Sequence, residues 1–457
     1  MPTFRLPHAV EKIGRIYRQA GFSCYVVGGA VRDMILGLRV SDYDLATDAL
    51  PADTAKIFHR TIPTGVKHGT VTIRMYGESY EVTTLRTEGD YSDGRRPDAV
   101  EFSATLEDDL SRRDFTINAM AVDVTTKEFF DPFDGVSDAK LRLVRAIGAP
   151  EERFREDALR LLRAIRFACQ LDFAVEDVTY RAVSELSQRL SIISAERIRD
   201  EFLKILATEL VYQGLFLLAE TGLLAVFAPE LDACRGEFAD GTGALDLFDH
   251  LCKSCEGAPR NDTELRLAAL LHDIGKPSSR NTDDSGMATF HRHEEASANM
   301  ARDLLLRMRL PRKAVARVEH LVRHHMFGYS PDYSDAAVRR LIRRVGEDHL
   351  NDLMVLRRAD VYGKTGRPTP APLLDELSRR VQHLKDQDLV LSARDLAVNG
   401  NDILERLAPL GLSRGPTLGT IIDFLVEAVT DDPAQNDKDR LLQIAERFYL
   451  DRLKPSG

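Results

Sequence analysis

The chain has no apolar run near the ~18 residues that a membrane-spanning helix needs. Its opening residues, Met1 to His8, have no apolar core of signal-peptide length. Cysteine is scarce: five in 457 residues, an odd number, which does not read as a disulfide framework. Reduced thiols and a cytoplasmic setting are the expectation. An excess of positive charge is also missing. The net charge is -10, with 62 Lys and Arg against 72 Asp and Glu. That counts against nucleic-acid binding by the whole surface and leaves room for a local basic stripe. Arginines do cluster, at Arg160, Arg163 and Arg166, at Arg307, Arg309 and Arg312, and at Arg339, Arg340, Arg343 and Arg344. A solvated helix face is the plain reading of such clusters. There is no internal repeat and no low-complexity tract.

What is present is length for two to four domains. Residues 1–140 read as mixed α/β. A strand at Cys24 to Val27 runs into Gly28-Gly29 and a helix to about Leu36. A second strand carries Tyr43 to Ala46, and Pro51 suits the first turn of a helix. Thr70 to Met75 and Ser79 to Leu85 read as a hairpin turned near Gly77. Residues 86–105 are polar, with Gly89, Gly94 and Pro97, and read as a mobile loop. From Leu141 the pattern is helical. Glu156 to Gln170 repeats apolar residues at helical spacing, and Ser194 suits an N-cap. Gly- or Pro-rich stretches at Cys234 to Gly243 and Gly363 to Pro372 read as boundaries.

Three constellations carry chemistry. In the first, Gly28-Gly29-Ala30-Val31-Arg32-Asp33 follows a strand and opens a helix, where backbone N–H groups can approach an anion and Arg32 can add a contact to phosphate. The G-x-G-x-x-G spacing of dinucleotide binders is absent. Asp42-Tyr43-Asp44 follows. Residues two apart on a strand share a face, and two adjacent carboxylates repel unless a cation lies between them. Mg²⁺ prefers a few carboxylates plus phosphate oxygens, the needs of a phosphoryl-transfer site. Glu81, in the next β-rich run, is the candidate third carboxylate. An isolated D-x-D is more often a pair of turn residues; the Gly-Gly loop ten residues upstream reverses that balance.

The second is a nucleotide-reading set. Arg113 and Asp114, in Leu110 to Ala121, can hold a ribose hydroxyl or triphosphate; a capped helix with a salt bridge is the alternative. Asp157 and Arg160, three apart, share a helix face. A carboxylate only accepts hydrogen bonds and a guanidinium only donates. The pairing edges of cytosine and adenine both offer an amino donor and a ring-nitrogen acceptor, and uracil and guanine offer the reverse. An Asp–Arg pair can therefore accept C and A and reject U and G. Arg163 and Arg166 continue the same helix and join the nucleotide-binding set. A surface ion pair is the common meaning of this spacing alone.

In the third, His250, His272-Asp273 and Asp360 are spaced like metal ligands, with His293 and His325 as further candidates against which His291 and His324 compete. Imidazole plus carboxylate suits Mn²⁺, Fe²⁺, Ni²⁺ or Co²⁺. A bound metal acidifies its water and makes a nucleophile for phosphate esters. Cys252-Lys253-Ser254-Cys255 lacks a second ligand pair and reads as ordinary helix beside His250.

The ordered motifs Gly28 to Asp33, Asp42-Tyr43-Asp44, Arg112 to Met120, Glu156 to Arg160 and Glu196 to Glu201 resemble the class II tRNA nucleotidyltransferases (CCA-adding enzymes) and the related bacterial poly(A) polymerases. Leu396 to Asp402, with Gly411, Gly415-Pro416 and Asn436, is similar to the tail of the bacterial CCA-adding enzymes. Leu270 to Pro277 resembles the HD phosphohydrolases. The resemblance implies an α+β nucleotidyltransferase head with a polymerase-β-like palm, residues 1–140, then an all-α neck (141–235), HD body (236–370) and tRNA-binding tail (371–457). It implies that Asp42 and Asp44 bind Mg²⁺, that Gly28, Gly29 and Arg32 meet the triphosphate, that Arg113 and Asp114 meet the ribose, and that Asp157 and Arg160 serve as a protein template. The loop Asp90 to Pro97 matches a flexible loop that relatives adding only CC tend to lack. The implied activity is template-independent addition of C, C and A to tRNA from CTP and ATP, with an HD phosphohydrolase activity beside it. CC-only, A-only and poly(A) addition are alternatives, as is an HD phosphohydrolase with an RNA-binding head. No membrane is an expected partner.

Overall fold

Short alternating runs make the sheet of the first part of the chain. In chain order the strands are β1 (Cys24–Val27), β2 (Leu45–Thr47), β3 (Thr61–Gly65), β4 (Thr70–Met75), β5 (Glu78–Thr84), β6 (Arg86–Glu88), β7 (Val100–Phe102), β8 (Ala121–Asp123) and β9 (Phe129–Phe130). Seven form one mixed sheet in the order β3-β4-β5-β2-β1-β8-β9. The expected hairpin is β4–β5, with Thr72 opposite Glu81. Apolar residues of the helix His8–Gln19, among them Val10, Ile13 and Tyr17, share one core with Val26, Leu45 and Ile73. This is a computed structural model, and it describes residues 4–65, 69–88, 100–102, 105–238, 240, 245–284, 287–386 and 392–453.

Three local expectations are corrected. First, β2 starts at Leu45, so Asp42 and Asp44 precede the strand. Asp44 nevertheless keeps a strand-like contact, because its carbonyl accepts from Val27 N at 3.0 Å. Second, the segment 86–105 is not all loop: β6 and β7 pair antiparallel, Thr87 opposite Glu101. The loop motif Asp90 to Pro97 lies outside the described residues. Third, the helix expected from Glu156 onward is broken. One helix, Pro150–Glu156, ends at Asp157, whose backbone is extended (φ -140°, ψ 105°), and the next is Leu159–Leu171. Asp157 and Arg160 therefore do not share a helix face. Ser194 does precede the helix Ala195–Leu206, without a side-chain cap bond.

The chain forms two units. The first runs to Glu237 and takes in Arg260–Thr263 and Asp303–Arg312; the second holds Phe238–Pro259, Glu264–Arg302 and the chain from Lys313. Among the described residues, no helix is long and apolar enough to cross a membrane. In the first unit, Arg307 pairs with Glu230 at 2.8 Å, the plain role for that arginine. The C-terminal motif is structural as well. Asn399 caps the helix Gly400–Leu407 in a reciprocal box with Asp402, and Asn436 accepts from Ala397 N at 2.8 Å.

In the second unit the helix Glu347–Thr365 lies against the helix Leu247–Gly257, and Gly363 permits it. A Cβ at Gly363 would collide with Ser254 Oγ and meet His250 Nδ1 at 2.8 Å. Gly363→Ala is expected to cost on the order of 1–3 kcal/mol by overpacking. Gly419→Ala, where a Cβ meets nothing within 4 Å in the helix Pro416–Asp431, should be neutral or mildly stabilising. Urea midpoints of the two variants test this; equal midpoints would refute the close-packing account.

Candidate functional site

A cleft of about 610 Å³ in the first unit gathers most of the expected nucleotide-site residues. Its lining includes Gly28, Gly29, Arg32, Asp42, Asp44, Arg113, Asp114, Asp157, Arg160, Arg163 and Arg166. Seven arginines and one lysine face five aspartates there, so the cleft is cationic although the chain is not. Glu81 is not among the lining residues. The β2–β5 register, Leu45 beside Val82, brings it level with Asp44, and it is exposed.

Gly28 ends β1 with φ +72°, and a Cβ there would lie 2.8 Å from Arg113 Nη1. Both facts call for glycine. Its N–H is already bonded to Met120 O at 3.2 Å, so Gly28 itself offers a ligand no amide. Tyr43 points to the core, which leaves Asp42 and Asp44 on the cleft side. Partial burial raises the Asp44 carboxyl above the usual range; Arg113 opposes the shift and Asp42 adds to it. A cation between the two would relieve both burial and repulsion.

Arg32 is buried and donates to Asn118 Oδ1 at 2.7 Å; Asn118 donates to Asp114 Oδ1 at 3.0 Å. Asp114 also accepts from Arg163 Nε at 2.7 Å. Burial would raise the Asp114 carboxyl, but Arg163, Asn118 and Arg160 outweigh it and set it at about 2. The guanidiniums of Arg32, Arg163 and Arg166 lie 5.3, 5.2 and 4.0 Å from the Phe167 ring centre. Sequence reading missed Asn118 and Phe167 as site residues. A lone amide inside the apolar run Ile117 to Ala121 was the available sign of the first. Phe167, seven residues after Arg160 on an arginine-bearing helix, was the sign of the second.

Asp157 and Arg160 both line the cleft, held by different partners. Asp157 accepts from Arg197 Nη2 at 2.6 Å and from Leu159 N at 3.0 Å. Arg160 donates to Glu156 Oε2 at 2.5 Å, Arg153 O at 2.9 Å and Arg112 O at 2.8 Å. Both side chains are thus oriented before any base arrives.

The second unit holds the other set. His250, His272, Asp273, His293, His325 and Asp360 are all buried. His250, His272 and Asp273 form one group with ligand spacing, and Asp273, His293 and His325 form another. Asp273 is shared: Oδ2 lies 3.3 Å from His272 Nε2, and Oδ1 lies 3.0 Å from His293 Nε2 and 3.4 Å from His325 Nε2. Asp360 Oδ1 is 3.5 Å from His250 Nε2. Nδ1 of His272, His293 and His325 lies 2.8, 2.8 and 2.7 Å from the carbonyls of Ala269, Phe290 and Val322. Donation there turns each Nε2 lone pair inward, the arrangement that a carbonyl behind the ring gives metal-bound imidazoles. Asp273 Oδ1 and Nε2 of His293 and His325 are buried without a hydrogen bond, which fits a cation among them. The competitors are resolved: His291 is exposed, and the His324 ring packs 4.5 Å from His320. Cys252 and Cys255 are buried and in no disulfide.

Known proteins resemble the chain along nearly its whole length. A family model described as the Poly A polymerase head domain matches residues 24–145. One described as a probable RNA and SrmB-binding site of polymerase A matches residues 172–235, and an HD domain model matches 242–364. The CCA-adding enzyme of Geobacillus stearothermophilus is 34% identical over 437 residues, 95% of this chain and 96% of that protein. That of Ligilactobacillus salivarius is 33% identical over 444 residues, 97% of this chain and 96% of that one. The crystal structure of the Bacillus stearothermophilus CCA-adding enzyme in complex with CTP aligns with a TM-score of 0.73 at 31% identity, covering 97% of this chain and 98% of that chain.

Proposed function

We propose, from the premise that this chain belongs to the CCA-adding enzyme family, that it adds C, C and A to the 3′ end of tRNA from CTP and ATP without a nucleic-acid template. In the reaction the O3′–Pα bond forms as the bond from Pα to pyrophosphate breaks. The observation that carries the reading is a cationic cleft that joins the Asp42/Asp44 pair to the separately anchored Asp157 and Arg160. Asp42 and Asp44 are the residues that would hold Mg²⁺, which when bound neutralises triphosphate charge and polarises the attacked phosphorus. Arg32, Arg113, Arg163 and Arg166 supply positive charge along the triphosphate and ribose. Asp157 accepts from an exocyclic amine, and Arg160 donates to a ring nitrogen. The assignment of head, neck, HD body and tail to 1–140, 141–235, 236–370 and 371–457 goes with this reading, as does a cytoplasmic setting.

The test uses three tRNA transcripts, ending before the first C, after CC and after CCA, with CTP and ATP separately and together. The expected products are three additions, one addition and none. Arrest at CC, addition of A only to the second transcript, or long A tails would each replace the reading with the matching narrower activity.

Arg160→Ala is expected to reduce use of CTP and ATP and to relax rejection of UTP. The substitution removes the base donor and leaves Arg112 O and Arg153 O without their partner. A lost partner of this kind costs on the order of 1–3 kcal/mol. Competition among the four nucleotides measures it; unchanged ratios would reduce Arg160 to a structural strut.

A second reading concerns the buried His/Asp set. We infer that it binds two divalent transition metals, one in each group around Asp273, and hydrolyses a phosphate ester. A 2′,3′-cyclic phosphate on a damaged RNA end is the fitting substrate, because it leaves no free 3′ hydroxyl to extend; a 2′-phosphate, which leaves that hydroxyl free but crowds it, is the second.

A further inference from the structure

Three cations touch the carboxylates of the buried His/Asp set in the second unit. Lys276 Nζ lies 2.7 Å from Asp273 Oδ2. Lys364 Nζ reaches both oxygens of Asp360, Oδ1 at 3.0 Å and Oδ2 at 3.2 Å. Arg357 Nη1 donates to Asp360 Oδ2 at 2.9 Å. Asp273 Oδ2 is 3.3 Å from His272 Nε2 and 3.6 Å from His250 Nε2. Asp360 Oδ1 is 3.5 Å from His250 Nε2 and 3.8 Å from His272 Nε2. The two lysines thus contact the oxygens that face the imidazoles, and they bracket one metal position. Arg357 bonds the oxygen turned away from His250 and holds that carboxylate in place.

An ammonium on a ligand oxygen repels a divalent ion at the same oxygen. For metal binding alone, the two lysines are a disadvantage. They become useful when a negative group joins the metal and the ammoniums together. Exposure shows how such a group would arrive. The Asp360 side chain is 5% exposed, whereas that of Lys364 is 49% exposed, so Lys364 runs from a buried ligand out to solvent. Lys276 is held closer in, 12% exposed, with its Nζ 5.5 Å from the centre of the Phe290 ring. An ammonium is a compact charge with three donors, which suits phosphate oxygens.

We propose that Lys276 and Lys364 are the phosphate-binding residues of the second unit, each donating to a non-bridging oxygen of a phosphate that meets the metal beside Asp273 and Asp360. The proposal rests on the reading of the His/Asp set as a metal-dependent phosphate-ester hydrolase. Each lysine then acts with opposite sign on two ligands: it weakens the metal and strengthens the phosphate. A lysine that only props up its carboxylate would strengthen both.

Equilibrium dialysis of the full-length protein against Ni²⁺ reads metal affinity. Isothermal titration of the Ni²⁺-loaded protein with inorganic phosphate, and with 2′-AMP, reads phosphate affinity. Lys276→Met should tighten Ni²⁺ on the order of tenfold, because a like charge beside the ion is gone. Lys364→Met should tighten it by about threefold, since solvent already screens its half-exposed ammonium. Each variant should bind phosphate and 2′-AMP about tenfold more weakly, the loss of one charged hydrogen bond. Lys364→Arg keeps the charge and should keep both affinities near those of the wild type. Thermal melting checks the fold, and the half-exposed Lys364 remains a test even where Lys276→Met lowers the melting temperature. Ni²⁺ and phosphate affinities that fall together, or that both stay unchanged in the Lys276→Met, Lys364→Met double variant, would overturn the proposal. If the double variant still hydrolyses 2′,3′-cyclic AMP with the wild-type KM, the lysine assignment fails and the hydrolase reading stands. Opposite shifts in a protein that turns over no ester would support the two lysines and sink the hydrolase reading. A wild type that binds no Ni²⁺ overturns both.

Discussion

Asp44→Ala is expected to abolish nucleotide incorporation and to leave tRNA affinity nearly unchanged, and Asp42→Ala to do the same. That is the expected result because both carboxylates line the cleft, and Asp44 sits where burial and its neighbour already disfavour its charge. A divalent cation held there contributes several kcal/mol to stabilising phosphoryl charge in the transition state. At about 1.4 kcal/mol per tenfold, the rate should fall by on the order of a thousandfold or more. RNA affinity is set by phosphate contacts and does not depend on this pair. Glu81→Ala should have a smaller effect, since Glu81 is level with Asp44 in register but does not line the cleft. Primer-extension rates with excess CTP, together with filter binding of tRNA, measure both quantities. Incorporation near the wild-type rate by both aspartate variants would remove the pair from the catalytic site.

The other large effect is expected at Asp273. Asp273→Asn should eliminate tight binding of Ni²⁺, Mn²⁺ and Co²⁺ by the second unit and, with it, any phosphate-ester hydrolysis. Asp273 belongs to both ligand groups, so a single substitution takes a ligand from each. Burial works against its charge, but His272, His250 and His293 hold the carboxyl well below its ordinary value. An amide of the same shape offers one acceptor and no charge. Because losing a group that only hydrogen-bonds to a ligand costs about 10- to 100-fold in metal affinity, losing a shared ligand should cost at least about a hundredfold. Equilibrium dialysis with each metal reads affinity. Turnover of a generic phosphodiester, 2′,3′-cyclic AMP and 2′-AMP reads activity, while CCA addition by the same variant should remain at the wild-type rate. Undiminished metal content in Asp273→Asn would refute the shared-ligand account. Metal binding without turnover on any substrate would leave the second unit as a metal-stabilised scaffold.

Local pattern was a good guide where the physics is local. The strand into Gly28, the β4–β5 hairpin and the helix begun by Pro51 each follow from alternation, a positive-φ glycine or a fixed proline φ. The shared side of Asp42 and Asp44 also followed from alternation, even though the strand begins two residues later than expected. Partner choice was not legible. Asp157 and Arg160 have helical spacing, yet a break in the helix separates them, and Asp157 takes its cation from Arg197, forty residues on. Arg163 has no sequence sign that ties it to Asp114, forty-nine residues earlier. The pairing of β6 with β7 was hidden because both strands are short and set in a polar segment.

By itself, then, the sequence determined the set of chemical groups and their local geometry. It supplied two carboxylates on one side of a short extended run, an arginine-bearing helix, and His-Asp in an apolar helical setting. Tertiary structure decided which of these meet. It chose His293 over the exposed His291, and His325 over His324, because only the first of each pair faces Asp273. It brought Asp360 to His250 across 110 residues, by way of a glycine that lets two helices touch. Turn and strand preferences act over a few residues and are written in the residues themselves. The pairing of buried charges is settled by which helix faces pack together, and that depends on the volume and burial of side chains scattered along the whole unit.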